Sequence, residues 1–214
     1  MKTSGELVAA TLAGSWREQT KEPQLSTTEL TSITPLLLQS GAGALTWWRL
    51  RNSPLANESA LGELQQAYRL HALQAVLHEI NLQKVFKLLQ TAGVEAILVK
   101  GWSIARLYPE IGLRPYGDID LCVAPDQYAL AQDALREPGD RYPLDLHVGT
   151  SMLDDRSWDE VFARSQLVVL DETVVRVLAP EDHLRVLCFH LLRHGVERPI
   201  GLCDIAVALE QRAT

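Results

Sequence analysis

Two aspartates stand two residues apart in RPYGDIDLCV, residues 114 to 123, a run otherwise apolar enough for a buried strand. Side chains two apart on a strand face the same side. Asp118 and Asp120 would therefore project together, about 7 Å apart along the strand. Burying one carboxylate is costly, and burying two of like charge is costlier. A divalent cation with a preference for oxygen, Mg²⁺ first, resolves the conflict and would also hold the phosphates of a nucleotide. The competing reading is a strand edge where Asp118 follows a turn and faces water. A lone D-x-D does not separate the two. Three nearby features favour the cation. Gly101 follows the apolar run EAILVK and opens a helical segment, a geometry that lets backbone N–H groups meet phosphate oxygens. Ser103 lies in the first turn of that segment. Asp145 sits in LDLHV, again an acid in an apolar alternation. If its strand neighbours that of Asp118 and Asp120, three carboxylates make a two-metal site. One cation would bind phosphates and the other would lower the pKa of an attacking hydroxyl.

The elements that must position these residues follow from periodicity and punctuation. Residues 4–18 and about 27–51 look helical, the second stretch broken by Pro35 and by SGAG at 40–43. Trp47 and Trp48, side by side, suit packing better than ligand stacking. From Glu58 to Thr91, Leu61, Leu64, Tyr68, Leu73, Val76, Leu77, Ile80, Val85, Phe86 and Leu89 recur at helical steps, predicting one long helix or two in succession. Gly93 ends the pattern. Strands are then expected at 95–100, 118–124 and 142–149, with helices at 102–108, 125–137 and 158–166 and a turn at 138–140. LVVL and VVRVL flank DET and predict a hairpin. Helices at 181–195 and about 200–212 close the chain. The expected fold is α+β, a small mixed β-sheet flanked by helices. Its organisation would be a helical region over 1–93, a core over 94–179 and C-terminal helices over 180–214.

Composition excludes several classes. The 214 residues are 47% apolar and 22% charged, with a formal charge of −7. An acidic chain is not built to coat nucleic acid. Cys122, Cys188 and Cys203 form no C-x-x-C pair and sit in apolar segments, as buried free thiols do in a reducing compartment. No apolar run is long enough to span a membrane. Glu6 interrupts the N-terminal apolar stretch, which does not read as a signal peptide. The expected location is cytoplasmic. His190 and His194 share a helix face at a metal-capable spacing. Without an H-E-x-x-H arrangement, packing and helix capping suit them better. His147 shares a strand face with Asp145 and would orient that carboxylate, touch nucleotide or make a structural hydrogen bond. His71 and His78 are expected at the surface or between helices.

The order strand, glycine, helix, then GLRPYGDIDLCV, then LDLHV resembles the polymerase-beta-like nucleotidyltransferase superfamily. More narrowly, LVKGWSIARLYPEIGLRPYGDIDLCV and VRVLAPEDHLRVLCFHLLRHGVERPIGLCDIAVAL resemble an uncharacterised bacterial nucleotidyltransferase family. The likeness covers about 94–125, 143–149 and 175–210; the first 90 residues match only as a helical region. It implies an Mg²⁺-dependent enzyme that moves a nucleoside monophosphate from an NTP, such as ATP, to a hydroxyl. Asp118 and Asp120 would match the metal-binding acids, and Asp145 the third carboxylate, as general base or second metal ligand. Gly101 and Ser103 would match the phosphate-proximal glycine motif. Lys100, directly before the glycine, would bind triphosphate or form a structural ion pair. Arg114 could reach phosphate oxygens or pair with Glu110. The acceptor would be a small molecule, a sugar or a protein hydroxyl, the acidic balance disfavouring long RNA. Trp102 stands where a second glycine is usual, the 126–145 segment is short, and the chain stops at Thr214. These features point to an alternative: a weak or inactive nucleotidyltransferase fold serving as nucleotide sensor or partner-binding module.

Overall fold

A computed structural model describes residues 2–18, 22–136, 142–195 and 198–211. The turn expected at 138–140 lies outside the described residues. The helices are α1 (Ser4–Leu12), α2 (Thr27–Gln39), α3 (Gly43–Leu50), α4 (Ser59–Thr91), α5 (Trp102–Ala105), α6 (Tyr128–Ala134), α7 (Trp158–Arg164), α8 (Pro180–Arg193) and α9 (Pro199–Gln211). The strands are β1 (Ala96–Leu98), β2 (Ile119–Val123), β3 (Leu144–Val148), β4 (Gln166–Leu170) and β5 (Thr173–Val177). The fold is α+β, as expected. Among the described residues no helix is long and apolar enough to cross a membrane.

The backbone packs as two compact units. One comprises residues 1–75, 105–115 and 191–214, and the other residues 76–104 and 116–190. The first is helical. In it α1 contacts α2, α3 and α9, and leucines such as Leu12, Leu30, Leu37, Leu45 and Leu64 are buried. Trp47 stacks on Tyr68 with ring centroids 4.3 Å apart, and the Arg51 guanidinium lies over Trp48. Both tryptophans therefore serve packing. The 105–115 segment is tied to α9 through Asp204, a buried carboxylate. Asp204 accepts from Tyr108 Oη at 2.8 Å and from Arg114 Nη2 at 2.8 Å. Burial, reinforced by the Asp204 charge, pushes the Tyr108 phenol well above its ordinary range.

The second unit carries the sheet, in the order β3-β2-β1-β5-β4. β1 runs antiparallel to β2 and parallel to β5, β2 and β3 are parallel, and β4 and β5 form the expected hairpin. Asp171 takes a left-handed φ of 50° at the hairpin turn, a conformation that tight hairpin turns demand. α4 is a single helix, closed by Gly93 at a φ of 72° as the Val94 N–H bonds back to Leu89. Two clusters cover the two faces of the sheet. On one, Leu82, Val85, Phe86 and Leu89 of α4 and Ala131 of α6 pack with Leu98, Ile119, Leu121, Val123 and Val175. On the other, Ile97, Val99 and Cys122 pack with Leu153, Val161 and Val186, the last two from α7 and α8. Asp182, fully buried in the first turn of α8, is paired with Arg156 and Arg164, so its charge is compensated where water cannot reach it. Leu73, Val76, Leu77 and Ile80, part of the helical periodicity of α4, are exposed instead of buried.

Two outcomes follow from these burials. Asp204→Ala strands the Arg114 guanidinium and the Tyr108 hydroxyl, and urea unfolding should show a loss of about 3 kcal/mol. Burial also pushes the Cys122 and Cys203 thiols up to about 12. Unfolded thiols ionise near about 8.5 while the folded ones stay protonated, so stability present below that pH is lost as pH rises toward 12. Urea midpoints should therefore fall between about pH 8 and about pH 10.5, and Cys122→Ala should flatten that fall.

Candidate metal centre

The alternation along β2 decides which acids meet. Ile119, Leu121 and Val123 face α4, so Asp120 and Cys122 face the opposite side. β3 follows the same rule: Leu144 and Leu146 pack toward the α4 cluster, leaving Asp145 and His147 on the other face. The parallel register sets Asp120 beside Asp145 and Cys122 beside His147. Like charges directly opposite on neighbouring strands repel. Asp120 is 3% exposed, whereas Asp145, on the edge strand, has a side chain 62% exposed.

Two cationic or ring nitrogens answer this confrontation. Lys100 Nζ lies 2.7 Å from Asp120 Oδ1. His147 Nε2 lies 3.3 Å from Asp145 Oδ2 and 3.7 Å from Asp120 Oδ1. The ring nitrogen is buried yet makes no hydrogen bond, because proximity without alignment is not one. Asp120, Asp145 and His147 each offer a donor atom, all within 4.8 Å of one another. An imidazole nitrogen beside two carboxylates is a donor set that suits a divalent cation. It is the one such group of three among the described residues. Cys122, next to His147 on the neighbouring strand, is held as a neutral thiol by burial and offers no thiolate.

The remaining expected site residues are placed as follows. Asp118 precedes β2, is exposed and is not part of the three-donor group; its charge reaches His78, whose imidazole is nonetheless lowered by burial. Gly101 has a φ of 59°, and a Cβ there would come within 3.1 Å of the Asp118 carbonyl oxygen. The glycine therefore lets the turn after β1 pass close to the chain entering β2. Ser103 is buried; its hydroxyl donates to the Lys100 carbonyl at 3.1 Å and meets His183 Nε2 at 3.2 Å. Arg114 belongs to the helical unit and donates to Asp204 through Nε and Nη2. Trp102 turns inward and donates to Glu79 at 2.9 Å. Burial raises the Glu79 carboxyl above its ordinary range, with the indole bond opposing. His190 and His194 are exposed and join no metal-capable group of three among the described residues. His147 was visible in the sequence as a residue two beyond Asp145. His183 carries no sequence signal beyond its type, since only the packing of α8 brings it to Ser103.

Asp120 and Asp145, side by side on neighbouring strands with His147, form a candidate divalent-cation site. The chain belongs to the family described as uncharacterised nucleotidyltransferase, which it matches over residues 26–142 and 139–214. No curated protein and no solved structure matches it.

The donor set sets an order of effects on Mn²⁺ affinity, measured by electron paramagnetic resonance titration. Asp120→Asn and His147→Ala should each weaken binding about tenfold or more, while Asp118→Asn should leave it within about threefold.

Proposed function

We propose that the protein moves a nucleoside monophosphate from an NTP to a hydroxyl acceptor, with Asp120, Asp145 and His147 holding a divalent cation, Mg²⁺ or Mn²⁺. The approach of these three donors to within 4.8 Å, in a chain of a nucleotidyltransferase family, is the observation that carries this reading. A bound cation supplies charge neutralisation at the phosphates and eases loss of the acceptor proton.

The chain's own residues divide the remaining work by burial. Asp120, enclosed and fixed by the register of β2, is the anchor. Asp145 has two oxygens and an exposed side chain, so one oxygen can face the cation while the other takes the proton of the acceptor hydroxyl. The acceptor oxygen then bonds to the α-phosphorus, the bond from that phosphorus to the bridging oxygen breaks, and pyrophosphate leaves. Such transfer depends on positioning and electrostatics more than on covalent chemistry. Asp118, exposed just before β2, can meet solvent-borne cation or phosphate without unpacking the strand. The net charge of −7 favours a small molecule, sugar or protein hydroxyl over a polyanionic RNA.

The test is transfer of label from α-labelled and γ-labelled NTPs in parallel, over small-molecule and protein fractions of a cell extract, with Mg²⁺ or Mn²⁺. Incorporation of the α label alone, lost in Asp120→Asn and reduced at least about a hundredfold in Asp145→Ala, is expected. Transfer of the γ label would make the chemistry that of a kinase. Cation-dependent NTP binding without any transfer would make the protein a nucleotide-binding module, and either result would overturn the reading.

A further inference from the structure

The Asp120 oxygen that faces His147 already has a partner. Asp120 Oδ1 is the atom Lys100 Nζ touches at 2.7 Å and the Asp120 atom that lies 3.7 Å from His147 Nε2. A carboxylate this buried needs a positive charge beside it at all times. An ammonium and a divalent cation on one oxygen would repel strongly in so enclosed a place. One must leave when the other arrives.

Resting on the cation site proposed above, we propose that Lys100 is a built-in counter-cation that competes with the divalent cation for Asp120 and passes to the phosphates of the incoming nucleotide when displaced. The construction around it suits this movement. Its backbone is held: the Lys100 carbonyl accepts from both the Ser103 amide and the Ser103 hydroxyl, each at 3.1 Å. Ser103 is in turn braced by the buried His183 at 3.2 Å. Gly101 then turns the chain away in a left-handed conformation. The side chain, by contrast, is 20% exposed, and its four-carbon stem can swing to solvent by torsion alone.

The consequence is a coupling between cation and nucleotide. Free cation must evict Lys100 and leave an ammonium unpaired, so it binds weakly. A cation arriving with a triphosphate gives the ammonium a new anionic partner, so the two ligands reinforce each other. Lys100 thereby holds the site closed to cation alone and sets the order in which it fills.

The experiment is Mn²⁺ titration of the full chain by electron paramagnetic resonance, with and without a non-hydrolysable NTP analogue. Lys100→Gln should bind free Mn²⁺ about tenfold more tightly than wild type, and its gain in Mn²⁺ affinity from the analogue should shrink by a similar factor. Lys100→Arg, which keeps the charge, should stay close to wild type. Equal or weaker Mn²⁺ binding by a Lys100→Gln protein that melts as wild type overturns the proposal. It leaves the cation site standing, provided Asp120→Asn still weakens Mn²⁺ binding about tenfold or more. Absence of Mn²⁺ binding in wild type and Lys100→Gln alike overturns the site and the proposal together. Should Lys100→Gln fail to fold, a crystal structure of wild type soaked in Mn²⁺ decides. Lys100 Nζ more than about 4 Å from Asp120 Oδ1 supports displacement, and an intact contact beside bound Mn²⁺ overturns it.

Discussion

Asp120 and Asp145 occupy matched positions on adjacent parallel strands, and one of them is shut away from water. That confrontation is the constraint around which the sheet-bearing unit is arranged. Moving either strand by one residue would turn its acid to the α4 face, where Ile119, Leu121, Leu144 and Leu146 now pack. The acids are therefore held together by the same alternation that fills the core, and the register cannot slip without exposing apolar surface. Lys100 compensates the buried acid from the turn just beyond β1, the strand next to β2. The edge position of β3 leaves the second acid open to solvent.

The turn after β1 shows how backbone and side-chain demands are met together. A glycine is required where the chain passes the Asp118 carbonyl. The next residue, Trp102, is free to be large because its indole points inward to Glu79, away from the turn itself. A bulky residue after the glycine is thus a packing choice that leaves the course of the turn intact. Ser103 continues the same logic. Its hydroxyl serves the Lys100 carbonyl and His183, which fixes the backbone from which the lysine side chain reaches Asp120.

Much of this was legible in the sequence, for local reasons. The alternations IDLCV and LDLHV already place Asp120 and Asp145 on the polar-bearing side of their strands, and the glycine stops mark Gly93 and Gly101 as turns. Parity alone pairs Asp118 with Asp120. Parity does not say where a strand begins, and β2 begins at Ile119. The partnership of Lys100 with Asp120, of Arg114 with Asp204 and of His183 with Ser103 joins residues 20, 90 and 80 positions apart, and no local pattern encodes such pairs. The exposed apolar residues of α4 carry a related lesson. Periodicity shows that Leu73, Val76, Leu77 and Ile80 belong to a helix, but not that anything covers them.

The presence of His147 in the candidate donor set bears on which ion the proposed site would favour. A set of carboxylates alone suits a hard ion that keeps most of its water, as Mg²⁺ does. An imidazole nitrogen shifts the balance toward ions that accept nitrogen as readily as oxygen, Mn²⁺ among them. The position of His147 makes that shift structural, since its Nε2 is buried without a hydrogen bond, and a buried ring nitrogen left without a partner is unfavourable unless something binds it. Water or a cation between the carboxylates would satisfy it, and a cation would add its charge to that of Lys100 in offsetting the repulsion of Asp120 and Asp145. The same atom thus links the electrostatic problem of the two acids to the chemistry that would resolve it.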